Sequence, residues 1–474
     1  MKHFLLLVTL LTPSLSFSAT TRITVGIGGA EANGASFVED VTPDGRYIVF
    51  SSYASNLVAN DTNNRRDIFL YDTLAETIEI VSRNTSGDLA NGDSNEASIS
   101  DDGRFVCFTS EATNLVVSDT NGVNDVFRRD VLSSQTTRVS LGASAAEGNA
   151  ASGNGCISGS GFVVAFESNA TNLVIGDSNG VKDVFVRDLN NSLTTRVSVE
   201  SGNFQVSGES ANPCLSEDGR FVAFEASSPL VLSDSNGSTD VYVWDLTLQI
   251  LSRASVGAAG EEADGFSVFP DISADGNLVV FSSRSTTFGP TTTQTRIYLK
   301  NLTTGELAHV SLTNTGADGN GNSEGPSISA DGRYISFTSL ASNLITGDTN
   351  AVDDIFVRDR TNATTGRVSV TSAGRQSAAP QFSYYSNLAP VTNDGRVAFA
   401  SAAADLVAGD TAGFNDVFFG AAARVDNSAL IAKYTADIKK LLKQIKDAKK
   451  KKKATIVKKL TKKLKQTQAL LAGL

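Results

Sequence analysis

The sequence has very few of the residues on which many catalytic centres depend. Its 474 residues include two histidines, three cysteines, one methionine and one tryptophan. His3 belongs to an apolar N-terminal stretch, which leaves His309 as the single histidine of the remaining chain. A serine or cysteine triad would have to use His309, and a zinc site with two or three histidine ligands cannot form within one chain. From these scarcities we predict that the protein is not an enzyme.

Long apolar runs are missing beyond the first residues. The segment MKHFLLLVTLLTPSLSFSAT has a basic start, an apolar run from Phe4 to Leu11 and small residues at Ser16 and Ser18. These features predict a secretory signal peptide over residues 1–18. No later segment reaches the roughly 18 consecutive apolar residues of a membrane helix. We therefore predict export, to the periplasm or to the extracellular medium or cell surface, without a transmembrane segment.

Three cysteines are too few for a disulfide framework in a chain of this length. Cys156 and Cys214 occupy matching places in neighbouring repeats, which leaves a bridge between them open. Buried, reduced thiols are the interpretation that the composition favours.

Basic residues are scarce in most of the chain and concentrated at its end. Residues 426–474 contain fifteen lysines and three aspartates, whereas residues 1–425 contain 25 basic and 48 acidic residues. We expect no nucleic-acid partner for the acidic part, because phosphate recognition requires basic patches.

The chain is built from seven copies of one repeat, most of them 56–58 residues apart. Its most recognisable element is an Asp-Gly pair followed by an apolar run, as in DGRYIVFSS (44–52), DGRFVCFTS (102–110) and DGRYISFTS (331–339). Each copy contains four short runs rich in Val, Ile and Phe, bounded by Gly, Asn and Asp, which is typical of β-strands. Four antiparallel strands repeated radially predict the blades of a β-propeller.

The two ends of the repeat region predict how the ring closes. Residues 21–27, TRITVGI, match the last strand of a repeat, and the seventh copy stops after its third strand at DVFFG (416–420). The N-terminal strand would then complete the last blade and remove the open sheet edges. The predicted fold is all-β, a seven-bladed β-propeller over residues 20–421.

The pattern S-x-D-G-R-x-x-x-F, followed by D-x-N-G-x-x-D-[IV]-[FY]-V-x-D, resembles the TolB-like, WD-repeat-like β-propeller family. Val243-Trp244-Asp245 fills the WD-like place once. The resemblance covers about residues 20–420 and implies the fold. It implies no activity, because the α/β domain of TolB and the hydrolase domain of propeller-bearing peptidases have no counterpart in the sequence.

The polar loop between the second and third strands has two interpretations. Asp and Asn form turns with their own backbone, so the loop can be a structural turn, the interpretation that we favour. Carboxylate and amide oxygens are also calcium ligands, although the spacing does not complete an EF-hand. No cofactor is therefore predicted, with calcium as the open alternative. The calcium candidates are Asp61, Asn63, Asp67, Asp119, Asn121, Asp125, Asp177, Asn179, Asp183, Asp234, Asn236, Asp240, Asp348, Asn350 and Asp354.

Residues 427–474 follow a different pattern and predict a basic amphipathic helix. Ile431, Tyr434, Ile438, Leu441 and Ile445 step by three and four residues, which is typical of a coiled-coil seam. One continuous helix and a helical hairpin that turns near residues 449–453 both fit the pattern. We expect this segment to form homo-oligomers through residues 428–471; docking on an acidic partner and adhesion to anionic envelope components are the alternatives.

Together these features predict an exported, non-enzymatic β-propeller. We expect a binding or scaffold module that contacts an unknown protein partner through its loop-rich face and C-terminal helix. The alternatives are a calcium-binding surface adhesin and a carbohydrate-active enzyme that uses paired carboxylates.

Overall fold

The computed structural model describes residues 20–200, 204–289, 294–377, 389–411 and 413–422, and C-terminal helical residues at 438–441, 443–445, 459, 461–463 and 465. Seven antiparallel sheets form the blades of the propeller, six with four described strands and the seventh with three. The strands are, in blade 1, β2 (Ser36–Val41), β3 (Tyr47–Ser52), β4 (Asp67–Asp72) and β5 (Thr77–Ile80); in blade 2, β6 (Ser94–Ile99), β7 (Phe105–Ser110), β8 (Asp125–Asp130) and β9 (Gln135–Arg138); in blade 3, β10 (Ser152–Ile157), β11 (Val163–Ser168), β12 (Asp183–Asp188) and β13 (Leu193–Arg196); in blade 4, β16 (Ser210–Leu215), β17 (Phe221–Ala226), β18 (Asp240–Asp245) and β19 (Ile250–Arg253); in blade 5, β20 (Ser267–Ile272), β21 (Leu278–Ser283), β22 (Arg296–Asn301) and β23 (Leu307–His309); in blade 6, β24 (Ser323–Ile328), β25 (Tyr334–Ser339), β26 (Asp354–Asp359) and β27 (Thr364–Arg367); and in blade 7, β28 (Arg396–Ser401), β29 (Asp416–Ala421) and β1 (Thr21–Arg22). A short hairpin, β14 (Val199–Glu200) and β15 (Phe204–Gln205), lies between blades 3 and 4.

The hydrophobic core lies between the blades. One cluster joins Leu70 of blade 1 to Phe108 and Phe127 of blade 2, and comparable clusters join the later blades. Within every blade an aromatic ring of the second strand stacks on one of the third, as for Phe108 and Phe127 with ring centroids 6.0 Å apart. Burial on both faces explains why these strands read as continuous apolar runs.

The Asp-Gly turns pack against the neighbouring blade and need glycine for two reasons. Gly103 has φ +73°, and a Cβ at this position would lie 2.2 Å from the Tyr47 ring. Gly122 has a similar φ of +66°, but no atom lies within 4 Å of its would-be Cβ.

We expect Gly103→Ala to lower the free energy of unfolding by about 2–3 kcal/mol, because backbone strain and overlap with Tyr47 add. The matched variant Gly122→Ala should lose only the strain, about 1–2 kcal/mol. Urea unfolding of both proteins measures the difference, and equal losses would contradict the packing role of Gly103.

The first strands lie at the centre of the ring and the fourth strands at its outer edge. First strands of neighbouring blades contact one another, β2 with β6 and β6 with β10, for example. Blade 7 contacts blade 1 through β28 and β2, and β1 pairs with β29 in the register Thr21↔Phe419 and Arg22↔Phe418. The prediction of an all-β, seven-bladed propeller is confirmed.

The C-terminal region contains helical residues within the predicted helix. Leu441 and Ile445 are 6% and 9% exposed, whereas Lys439, Lys440 and Lys443 are exposed, which agrees with the predicted apolar stripe. The described residues do not include the rest of residues 427–474 or the predicted signal peptide over residues 1–18. The prediction of one helix or a hairpin therefore falls outside them. Within the described part of the chain, no helix is long and apolar enough to cross a membrane.

Candidate functional site

The Asp-x-Asn loops form hydrogen-bonded turns against the start of the third strand. In blade 2, Asn121 Nδ2 donates to Asp125 Oδ2 at 2.9 Å and to the carbonyl oxygen of Gly148. Asn121 Oδ1 accepts the backbone N–H of Val123, which closes an Asx turn. The same two side chains are hydrogen-bonded as Asn63–Asp67, Asn179–Asp183, Asn236–Asp240 and Asn350–Asp354. The predicted residues therefore shape the loop, and their use as calcium ligands stays a prediction.

The second aspartate of each loop is buried and bound on both oxygens. Asp125 is fully buried, and its Oδ1 accepts the hydroxyl of Ser140 at 2.5 Å. Serines two residues beyond the fourth strand bind the equivalent aspartates in four other blades, namely Ser82, Ser198, Ser255 and Ser369.

An arginine from the end of the fourth strand lies between the two aspartates of the loop. In blade 4, Arg253 Nη1 lies 3.1 Å from Asp234 Oδ1 and 3.5 Å from Asp240 Oδ2. The equivalent arginines are Arg138, Arg196 and Arg367, and Arg22 of β1 has the same place in blade 7. We call each group of one arginine and its surrounding acidic or amide side chains a socket. The arginine thus brings one positive charge to the two aspartates of its loop.

Blades 1 and 5 depart from this arrangement. In blade 1, Ile80 occupies the arginine's register opposite Phe69, so Asp61 and Asp67 receive no guanidinium from their own fourth strand. Burial raises the pKa of Asp67 to about 6. In blade 5, Arg296 stands at the start of the third strand, where the other blades have the second aspartate. His309 has the arginine's register opposite Tyr298.

Ser311, His309 and Asp318 are connected in the order of a nucleophilic triad, but Ser311 is only 1% exposed and its hydroxyl also accepts the N–H of Ile297. The pattern Gly-x-Ser-x-Gly occurs at 176–180 and 321–325. Ser323 is buried in β24, hydrogen-bonded to Ser339, and Ser178 contacts Gln205. His309 contacts Ser311 and Asp318, and burial lowers its pKa to about 4. The serine that His309 contacts is therefore not accessible to a substrate.

A second group of acidic residues lies where the first strands end. The residue before the Asp-Gly turn of each blade joins a chain of hydrogen bonds around the centre. Asp101 N–H donates to Gly159 O, Gly159 N–H to Glu217 O, and Ala274 N–H to Ala330 O. We call this set the Asp-Gly rim; it comprises Pro43, Asp101, Gly159, Glu217, Ala274, Ala330 and Asn393.

Asp101 and Glu217 lie on either side of a glycine of the rim. A Cβ on Gly159 would lie 2.3 Å from Asp101 Oδ2, so the Asp101 carboxylate lies against this glycine, whose N–H donates to Glu217 O. Burial raises the pKa of Glu217 to about 7, and the negative charge of Asp101 raises it further. Burial also raises the pKa of Asp101, although its side chain is exposed. A carboxyl group with a pKa near 7 can donate and accept protons at neutral pH.

Deeper carboxylates hold neighbouring blades together. Asp40 Oδ2 accepts the N–H of Ile99, and Asp271 Oδ2 accepts the N–H of Ile328. Burial raises the pKa of Asp40 to about 7 and also raises that of Asp271. Both negative charges raise the pKa of Glu217, so these groups also adjust the rim electrostatically.

The two cysteines with matching positions lie in this region and are not bridged. Cys156 Sγ lies 4.0 Å from Cys214 Sγ, and Cys214 Sγ contacts Asp271 Oδ1 at 3.0 Å. All three cysteines are free thiols, as the composition favoured. The pKa of Cys214 is raised well above its usual value, by the contact with Cys156 first and then by burial.

A cleft of about 380 Å³ opens between blades 1 and 2 next to the rim. Tyr47, Asp102 and Arg104 line it, and Asp102 follows Asp101 in the chain.

Proteins of known structure share the fold of this chain. No family model and no curated protein matches the chain. An oligogalacturonate lyase in complex with manganese has a TM-score of 0.53 and 13% identity, over 86% of this chain and 95% of the lyase. An acylaminoacyl peptidase from Pyrococcus horikoshii (TM-score 0.44, 10% identity) shares 78% of this chain and 49% of its own. A TolB-like protein from Agrobacterium tumefaciens (TM-score 0.38, 14% identity) shares 64% and 87%.

The lyase contradicts two predictions, that the chain is not an enzyme and that it is a non-enzymatic binding or scaffold module. The lyase is an enzyme that shares this fold. Both predictions were wrong because they took the scarcity of histidine and cysteine as evidence against catalysis. Two carboxyl groups suffice for acid–base catalysis. The alternative of a carbohydrate-active enzyme with carboxylates agrees better with the comparison.

Proposed function

We propose that the protein is a carbohydrate-active enzyme that cleaves glycosidic bonds at the Asp-Gly rim. The observation that carries this proposal is the position of Asp101 and Glu217 on either side of Gly159, with a raised pKa on both. The shared fold with a lyase that acts on oligogalacturonate supports the substrate class. The proposal treats the propeller as a ring that the N-terminal strand closes.

The two carboxyl groups would divide the chemistry. Glu217, with a pKa of about 7, is partly protonated at neutral pH and serves as the general acid for the leaving-group oxygen. Asp101, the more exposed group, serves as the base that takes a proton from water or from the sugar. Burial first, and then the charge of Asp101 with smaller contributions from Asp40 and Asp271, raises the pKa of Glu217 and so favours its protonated form.

Electrostatics favour a neutral or amino sugar over a uronate. Residues 1–425 carry 48 acidic against 25 basic residues, among them Asp101 and Glu217 of the rim and the deeper Asp40 and Asp271. A polyanion would be repelled from this surface. Export by residues 1–18, to the periplasm or cell surface, and oligomerisation through residues 428–471 belong to the same proposal, since envelope polysaccharides are met outside the cytoplasm.

The test is a turnover assay of the full mature chain on neutral glycans, chitin oligosaccharides and oligogalacturonate. New reducing ends report hydrolysis, and ultraviolet absorbance reports unsaturated products of elimination. We expect cleavage of a neutral or amino glycan, and a loss of about 10²–10⁴-fold in kcat for Glu217→Gln.

Glu111→Gln provides the control, because Glu111 is an exposed carboxylate outside the rim. Turnover that survives both Glu217→Gln and Asp101→Asn would contradict the assignment of the site. Cleavage of oligogalacturonate alone would contradict the substrate class.

A further inference from the structure

The sockets contain a third side chain that differs between blades. It comes from the connection to the next blade and is a glutamate in blades 2, 4 and 7, but a glutamine in blades 3 and 6. Each one accepts hydrogen bonds from the loop residue that follows the first aspartate, as Glu147 does from Thr120 and Gln205 from Ser178. The five side chains are Glu147, Glu262, Glu31, Gln205 and Gln376.

Glutamine has an N–H that glutamate lacks, and the first aspartate uses it. Gln205 Nε2 donates to Asp177 Oδ1 at 3.0 Å in blade 3. Gln376 Nε2 donates to Asp348 Oδ1 at 3.1 Å in blade 6. In these two blades the socket provides a donor for its first aspartate.

Blade 4 has a glutamate but obtains a donor elsewhere. The hydroxyl of Tyr242 donates to Asp234 Oδ2. Blades 2 and 7 have phenylalanine in the tyrosine's register, Phe127 opposite Phe108 and Phe418 opposite Phe399. Neither blade therefore has an amide or a hydroxyl for its first aspartate.

The consequence is an orphaned carboxylate oxygen in those two sockets. Among the described residues, Asp119 Oδ1 of blade 2 and Asp410 Oδ2 of blade 7 are buried and accept no hydrogen bond. The Asp119 side chain is 2% exposed, and the nearest positive group, Arg138 Nη1, is 4.0 Å from its Oδ1. Such an oxygen costs free energy unless another ligand satisfies it.

The charge of the blade 2 socket indicates what that ligand is. One ligand oxygen each of Asp119, Asp125 and Glu147 lies within 4.8 Å of the other two. Arg138 contacts Asp125 Oδ2 at 2.9 Å and also binds Glu147. Three carboxylates and one guanidinium leave a charge of −2, where the glutamine sockets of blades 3 and 6 have −1. One divalent cation would balance it, and clustered carboxylates suit calcium or manganese.

We infer that the blade 2 socket binds one divalent cation through Asp119, Asp125 and Glu147, with Asp119 Oδ1 as the ligand that nothing else satisfies. Arg138 neutralises the remaining carboxylate charge. The site is independent of the proposed catalytic function, because it uses no residue of the Asp-Gly rim. It narrows the fifteen calcium candidates of the sequence to the loop that carries an orphaned oxygen and three carboxylates.

The test exchanges the glutamate of the blade 2 socket and the glutamine of the blade 3 socket and measures how many cations the protein binds. Full-length mature protein freed of metal with a chelator is titrated with calcium chloride and, separately, with manganese chloride by calorimetry and thermal melting. We expect saturable binding of at least one of these cations and a Tm rise of about 3–5 °C near saturation. Glu147→Gln gives blade 2 the amide of blade 3 and should lower the number of bound ions by one. Gln205→Glu should raise it by one.

Phe127→Tyr is a second variant that supplies the hydroxyl of blade 4 without removing a carboxylate. It should weaken binding at this socket at least tenfold, because Asp119 then has a donor. Absence of saturable binding by both metals would overturn the inference, since a proton or water would then satisfy Asp119. An unchanged number of ions in Glu147→Gln would overturn it as well.

Discussion

Replacing Arg253 by methionine should lower the free energy of unfolding by about 3–5 kcal/mol, the range for breaking a buried ion pair from one side. The Arg253 side chain is 3% exposed and contacts Asp234, Asp240 and Glu262 at 3.1, 3.5 and 2.9 Å. Methionine fills much of the same space but leaves three carboxylates close together without their cation. Urea unfolding followed by circular dichroism measures the loss.

The expected loss comes from buried charge rather than from lost packing, and two controls separate these causes. Arg253→Lys retains the charge but cannot reach Ser233 O and the carboxylates at once, so it should lose less than methionine does. Arg375→Met removes an exposed arginine and should change stability by no more than about 0.5 kcal/mol. A loss below about 1 kcal/mol for Arg253→Met would show that water or protonation relieves the carboxylates.

The second large effect is a pH dependence that follows from Glu217. As general acid, Glu217 must carry its proton, so activity should fall as the pH rises through about 7, the pKa of this group. Asp101→Asn removes the charge that, after burial, raises this pKa most, and it should move the alkaline limb of kcat/KM to lower pH. A pH–rate profile of the wild type and of Asp101→Asn, measured through any residual activity, checks both statements.

The stability of the protein should respond to the same group with a defined sign. The pKa of Glu217 is raised in the folded state, so the folded protein binds more protons than the unfolded chain between pH 4.5 and about 7. Stability is therefore lost as the pH rises through this window. Glu217→Gln should be more stable than the wild type above pH 7 and equally stable below pH 4.5. Equal stability at all pH values would contradict a raised pKa of the half-buried Glu217 carboxyl group.

The raised pKa values illustrate how a repeat protein acquires a site. The five sockets with an arginine repeat one solution, in which a guanidinium offsets part of the buried negative charge of the carboxylates. At the Asp-Gly rim the same register holds proline, glycine, alanine and asparagine in other blades, and acids only at Asp101 and Glu217. Residues that depart from the repeat are therefore better indicators of function here than residues that obey it.

The sequence pattern predicts the helical residues of the C-terminal region, but it does not predict what they contact. A seam of apolar residues three and four apart predicts the helix and its buried face, and Leu441 and Ile445 are indeed the covered positions. The sequence does not state what covers them, because the same stripe can pack on a second helix, on another copy or on the propeller.

The sequence by itself determined the number of blades, the strands and the turns. Short runs of Val, Ile and Phe, bounded by Asp-Gly and Asp-x-Asn, specify strands and turns through local interactions. The seven copies of this pattern give the number of blades. The arginine of TTRVSV also recurs visibly, but its pairing with Asp183 depends on the register of β12 and β13, in which Arg196 lies opposite Phe185.

Only the tertiary structure decided the candidate site. Asp101 and Glu217 are far apart in the chain and belong to blades 2 and 4, and the curvature of the ring brings them to one rim across Gly159. The pKa of Glu217 depends on burial and on charges from three other blades. The orphaned oxygen of Asp119 likewise exists because two neighbours, Glu147 and Phe127, lack a donor at one point in space. Such effects depend on distances of a few ångströms between distant segments, which a local pattern cannot encode.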